Sequence, residues 1–178
     1  MTPDFSADHF ALFGLPAAFR VDGAVLDQAW RQLQSQVHPD RYAHAGEVEQ
    51  RLSMQWATRV NEAYQTLKEP LHRADYLLQQ QGIHALAERQ TALPAAFLMQ
   101  QMEWREALQE AGQGCDLSAL ENLRRLLKKE ALGLIDELAR QLDEESAWEA
   151  AAETVRKLRF VQKLQEDVNQ TLGSLEDD

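Results

Sequence analysis

The sequence predicts an all-α protein, and three observations predict it. Apolar residues recur at helical spacing in segment after segment, and no stretch alternates β-branched and polar residues with a period of two. All five prolines, Pro3, Pro16, Pro39, Pro70 and Pro94, lie in the first 94 of 178 residues. Before Pro94 short helical patterns are cut by breakers; after it come three long amphipathic patterns.

Phe10-Ala11-Leu12-Phe13-Gly14-Leu15-Pro16 reads as a short apolar turn or one-turn helix stopped by Gly14 and Pro16. Asp22 is placed to cap a helix whose stripe is Leu26, Ala29, Trp30, Leu33 and Val37. That helix must end at His38, because Pro39 disfavours the α conformation in the residue before it. A loop and a second stripe follow: Leu52, Trp56, Val60, Ala63, Tyr64 and Leu67, halted by Pro70. Leu71, Ala74, Tyr76, Leu77 and Leu78 predict a final short helix. The two longer helices, joined by a short polar loop, form an antiparallel hairpin in which each buries its stripe on the other.

Residues 81–94 read as a connection between a unit at 1–80 and a second at 95–178. In the second unit helices are expected at about 95–111, 116–142 and 147–172, the last two carrying stripes wide enough for a three-helix antiparallel bundle. Ser146-Ala147-Trp148-Glu149 has the capping-box pattern and predicts the start of the last helix at Ser146. Leu77, Leu78 and Ile83 make the junction more apolar than a flexible linker.

Composition narrows the function classes. At 44% apolar, with 8 glycines, the chain carries too much core-forming material for disorder. Its apolar runs fall far short of the roughly 20 residues of a bilayer span. The first residues, Met1-Thr2-Pro3-Asp4-Phe5, resemble no secretion signal. One cysteine, Cys115, excludes an intramolecular disulfide and a Cys-x-x-Cys clip, so a reducing compartment, the cytoplasm, is expected. The net charge is −11, divided as −3 over residues 1–80 and −8 over 81–178. That balance argues against nucleic acid, whose binders displace phosphate counterions with a basic surface. It favours a protein partner with basic patches.

His38-Pro39-Asp40 stands at the predicted tip of the hairpin, where solvent-facing function is displayed. Proline fixes φ and holds the loop's polar groups in one presentation, although the same residues are ordinary in a helix-ending turn. A histidine beside an aspartate also suggests a general acid/base pair. No nucleophile, carboxylate cluster or phosphate-binding glycine loop accompanies it. The five histidines lack ligand spacing, and Cys115 sits in an interhelix turn as an inert thiol, so no metal and no cofactor are expected. On the first helix of the second unit, Leu98, Met99, Met102, Glu103 and Glu106 cluster along one side. Leu98 and Met102 suit either a core position or a partner surface, and methionine's flexibility favours the latter.

The order of short apolar turn, helix, His-Pro-Asp, loop, helix, then Asn61-x-Ala63-Tyr64-x-x-Leu67-x-x-Pro70-x-x-Arg73-Ala74-x-Tyr76 resembles a J domain, over about residues 9–78. No Gly/Phe-rich linker or cysteine-rich region follows. Instead, Ala96-Phe97-Leu98-Met99-Gln100-Gln101-Met102-Glu103-Trp104-Arg105-Glu106 and the segment from Trp148 to Phe160 look like the C-terminal domain of the HscB family of J-type co-chaperones. The resemblance spans essentially the whole chain.

It implies an L-shaped pairing of J domain and three-helix bundle. It implies a co-chaperone that brings an iron–sulfur scaffold protein to an HscA-type, DnaK-class chaperone and stimulates that partner's ATPase. On this reading His38, Pro39 and Asp40, with Arg41 and Arg31, contact the chaperone, and Leu98, Met99, Met102, Glu103, Glu106 and Phe160 hold the scaffold protein. Two features depart from the usual J-domain pattern: Val37 and Arg41 flank the tripeptide where an aromatic residue and a lysine are general, and the helix before it offers only Arg31 as a cation. The rival readings are a generic J-protein serving other clients, a small enzyme using His38 and Asp40, and a coiled-coil dimer. The last is weakened by Lys128, Lys129, Glu130 and Gly133, which interrupt the heptads.

Overall fold

The computed structural model describes residues 7–87 and 93–176. Among them there is no strand. The elements are α1 (His9–Leu12), α2 (Gly23–Val37), a 3-10 turn (Pro39–Tyr42), α3 (Glu47–Lys68), α4 (Pro70–Gln80), α5 (Ala95–Gln113), α6 (Leu117–Asp143) and α7 (Trp148–Glu176). The chain divides into two compact units, Met1–Leu77 and Leu78–Asp178, with the boundary inside α4.

In the first unit the Asp22 carboxylate accepts from the amides of Ala24 (2.9 Å) and Val25 (3.3 Å), so α2 starts where the sequence places its cap. Tyr64 donates its hydroxyl to Asp27 at 2.7 Å, and Trp30 donates its indole N–H to Asn61 at 3.1 Å. Position falls from 30 to 27 on α2 as it rises from 61 to 64 on α3, so the helices run antiparallel. Trp30 and Tyr64 stack at 4.6 Å between them. Leu26, Val37, Trp56, Val60, Ala63 and Leu67 fill the shared core, capped by Phe10 and Phe19. Leu52 is an exception: the sequence assigns it to the stripe, yet it is 42% exposed, because the inward face of α3 passes through Ser53, three positions before Trp56.

Pro70 ends one helix and starts the next. It cannot donate the amide that would continue α3, and as the first residue of α4 it loses nothing. The buried Arg73 reaches back from α4 to donate to the Leu67 carbonyl at 2.6 Å, one of the carbonyls the end of α3 leaves without an amide. The guanidinium also lies over the Phe19 ring at 5.0 Å. His9 stacks face to face on Tyr76 at 4.3 Å and donates its amide to the Tyr76 hydroxyl at 3.0 Å, fixing α1 to α4.

The second unit is a three-helix bundle whose core runs along Leu120, Leu127 and Leu138 of α6 and Val155, Leu158, Val161 and Val168 of α7. At Gly112 α5 comes close to α7: a Cβ there would stand 3.4 Å from the Thr171 methyl, in contact with it.

The capping box expected at Ser146 is absent. Ser146 takes a left-handed conformation (φ 51°), and α7 begins at Trp148 with Ala147 supplying the first carbonyl, to the amide of Ala151. The reversal explains this. The amides of Glu144 and Glu145 return to the Arg140 carbonyl and that of Ala147 to the Gln141 carbonyl, closing α6 as its orphan acceptors require. A chain turning back so tightly needs a left-handed residue, and position 146 supplies it.

Candidate partner-binding surfaces

At the end of α2, His38 leaves the helix with φ −58° and ψ 128°, the extended backbone a following proline enforces. Pro39 then opens the 3-10 turn, and the Arg41 amide donates to the His38 carbonyl at 3.1 Å. His38 Nδ1 accepts from the Asp40 amide at 3.3 Å. The Asp40 carboxylate lies 3.6 Å from the same nitrogen. The side chains of His38 and Asp40 are 51% and 91% exposed. The tripeptide thus offers an imidazole and a carboxylate to solvent on a turn whose backbone is fixed.

Two neighbours fix it further. Arg41 donates its guanidinium to the Ser35 carbonyl at 3.0 Å, and Tyr42 donates its hydroxyl to the Gln36 carbonyl at 3.2 Å. Both carbonyls belong to the last turn of α2: residue 39, a proline, has no amide for the first, and the Asp40 amide that would serve the second goes to His38. The Gln50 amide donates from α3 to the carbonyls of Ala43 and Ala45, at 3.2 and 3.0 Å. The sequence pointed to Arg41 as a charge for docking; the structure also makes it a clamp. Tyr42 and Gln50 were not singled out, because their partners are backbone atoms that no side-chain pattern encodes. Arg31 is exposed on α2, seven positions before His38, or about 10 Å along the helix axis.

On α5, Leu98 is 43% exposed, Met99 64% and Met102 71%, with Glu103 and Glu106 exposed among them. The core alternative for Leu98 and Met102 is therefore overturned. The reason is register: Phe97 and Trp104, one heptad apart, take the inward face and leave Leu98 and Met102 outside. Phe160 of α7 joins this surface half-buried, its ring edge-on to Phe97 at 6.0 Å, and Phe97 is edge-on to Trp104 at 6.1 Å. Arg105 lies over the Phe160 ring at 5.1 Å, and Lys157 over Phe97 at 5.8 Å. Gln100 donates to the Glu103 carboxylate at 3.0 Å.

The structure thus brings all six sequence-selected residues to one part of the second unit, and adds Phe97, Trp104, Arg105 and Lys157 beneath and around them. A hint was available in the aromatic pair at a spacing of seven, but pairing across to α7 needed the fold. Among the described residues no three His, Cys, Asp or Glu side chains gather as a metal site, and no helix is long and apolar enough to cross a membrane. Cys115 is exposed.

Exposed methionines and a leucine beside carboxylates have the chemistry of a protein-docking surface. Comparison with known proteins shows the family. Residues 93–169 match the family model described as the HSCB C-terminal oligomerisation domain. The co-chaperone protein HscB homolog of Aromatoleum aromaticum is 51% identical, over 99% of both chains. The chain belongs to the HscB co-chaperone family. Among HscB structures, that of the chaperone from Vibrio cholerae superposes with a TM-score of 0.83 at 39% identity, covering 95% of this chain and 99% of that one. The human co-chaperone HscB gives 0.85 at 31% identity, covering 94% and 83%. Both are similar across the two units, so the HscB fold extends over the J-like hairpin as well as the bundle.

Proposed function

We propose that this HscB-family chain is an adaptor of iron–sulfur cluster assembly that acts in the cytoplasm. Its J domain, residues 1–80, engages an HscA-type DnaK-class chaperone through His38, Pro39, Asp40, Arg41 and Arg31 and stimulates that partner's ATP hydrolysis. Residues 81–94 connect it to the domain at 95–178, which holds the scaffold protein through Leu98, Met99, Met102, Glu103, Glu106 and Phe160. The cluster is cargo on the scaffold, and the bond cleaved is the partner's ATP, so His38 and Asp40 act as contacts rather than as acid and base.

The observation that carries this reading is the exposure of Leu98, Met99 and Met102 together with two carboxylates on one helix. Three large apolar side chains left 43–71% exposed are a surface a partner can cover, and burying what remains of each is worth about 1 kcal/mol or more. The flanking carboxylates select a partner with basic residues. A single molecule holding scaffold and chaperone makes their encounter effectively intramolecular, which raises the rate of delivery without any new contact.

The test is ATP hydrolysis by the matched HscA-type chaperone, with and without scaffold protein. Synergistic stimulation by the native chain, abolished by His38→Gln and lost with respect to scaffold in Phe160→Ala, is the expected result. Stimulation that needs His38 but ignores both scaffold and Phe160 would replace the adaptor with a generic J-protein.

A further inference from the structure

A groove of about 500 Å³ opens between α6 and α7, within the size range of small-molecule sites. Arg124, Arg125 and Lys128 line it from α6, and Gln165 and Asn169 from α7. The chemistry is out of keeping with the rest of the chain. Four of the 18 basic residues fall in the run 124–129, and no acidic residue intervenes between Glu121 and Glu130, in a protein of net charge −11.

Local partners neutralise little of this charge. Arg124 pairs with Glu121 at 2.8 Å, on a surface where such a pair is weak. Arg125 donates to the Asn122 side chain at 2.6 Å and more distantly, at 3.4 Å, to the Glu121 carbonyl, both neutral acceptors. Lys128 makes no ion pair or hydrogen bond with the described residues. On the α7 side the carboxylates of Glu166 and Asp167 are engaged by Lys163, each at 3.3 Å, and the groove is met there by the amides of Gln165 and Asn169. The result is a concave site with two guanidinium groups, an ammonium and two amide donors, answered by one carboxylate.

We propose that this groove binds a small polyanion, a molecule bearing two or more adjacent phosphate or carboxylate groups. Paired anionic groups match the guanidinium fork, which takes such oxygens two at a time. Nucleic acid and bilayers fit poorly: the basic run covers only about 9 Å of helix axis, and an otherwise acidic chain repels an extended polyanion. The groove is also separate from the proposed scaffold surface. Gln165 and Asn169 stand about 140° and 180° around α7 from Phe160, on helical geometry.

The experiment is an NMR titration of the full chain with pyrophosphate and, separately, with citrate, each against sodium chloride at matched ionic strength. Saturable shifts in the side-chain amides of Gln165 and Asn169 and the backbone amides of 124–128 are expected. An R125Q/K128Q variant, altered at exposed positions and checked for native helicity, should weaken binding at least tenfold. A response to pyrophosphate alone identifies a phosphate-bearing ligand, and one to citrate alone a polycarboxylate; either supports the site. Shifts reproduced by sodium chloride, or unchanged in the variant, overturn it. So does a concentration-dependent sedimentation change that the variant abolishes while anions have no effect, since a second copy of the chain would then occupy the groove.

Discussion

The Arg41 guanidinium donates to the Ser35 carbonyl at 3.0 Å, so the residue that follows His-Pro-Asp closes the helix that precedes it. With Tyr42 on the Gln36 carbonyl, the turn is tied back twice to the last turn of α2. The presentation of His38 and Asp40 therefore depends on two side chains outside the tripeptide.

Replacing Arg41 by alanine should lower stimulation of the chaperone ATPase severalfold at saturating protein, while leaving most of the stability intact. The lost bond is exposed, and its net worth is about 1 kcal/mol. Arg41→Lys separates charge from geometry, since the ammonium keeps the charge but lacks the planar fork. Full activity in the alanine variant would show that the clamp has no part in presenting the loop.

Arg105 and Phe160 should act as a unit in scaffold binding. Arg105→Ala is expected to weaken binding by about 0.5–2 kcal/mol, through loss of the cation that holds the ring. In a double-mutant cycle with Phe160→Ala, measured calorimetrically, the two effects should be less than additive. Strict additivity would mean the stacked arrangement does not carry over to the complex.

Binding and stability should separate cleanly along α5. Met102→Ala removes an exposed side chain and should change stability by less than about 0.5 kcal/mol while weakening scaffold binding. Trp104→Ala, two positions away but 5% exposed, should cost about 3–5 kcal/mol of stability by leaving a cavity. Denaturant melts of both variants check the contrast. Comparable destabilisation by the two would put Met102 in the core.

Acid should loosen the first unit through His9. Burial, and then the nearby Arg59 guanidinium, hold its pKa below the ordinary value of 6.5, against a smaller opposing pull from Asp8 and Glu62. The folded state then binds fewer protons than the unfolded one, so stability rises with pH. It is fully present above the unfolded value and is lost as pH falls below about 6.5. Thermal melts between pH 7.5 and 5 should show this decline, and His9→Phe, which keeps the stack on Tyr76, should flatten it. An identical slope in the variant would assign the acid sensitivity elsewhere.

The sequence by itself determined the helices and most of their ends. Periodicity marks α2, α3, α6 and α7, Asp22 and Pro39 bound α2, and Pro70 separates α3 from α4, because capping and proline chemistry act within a few residues. It also determined the family, since the tripeptide and the α5 segment are contiguous motifs. The failures were local rules overridden by chain reversal: Ser146 has the composition of a cap, but a tight turn needed its backbone left-handed. Tertiary structure alone decided what faces outward. Leu98 and Met102 read as partner-facing with a core position still open until Phe97 and Trp104 took the inward face, and Arg105 met Phe160 only when α5 lay beside α7. Arg41 reads as a docking charge until the end of α2 presents it with a bare carbonyl. The groove between α6 and α7 joins cations and amides more than thirty residues apart. Burial and cross-helix contact depend on which helix lies opposite, and a one-dimensional pattern carries the period of a face without the identity of its partner.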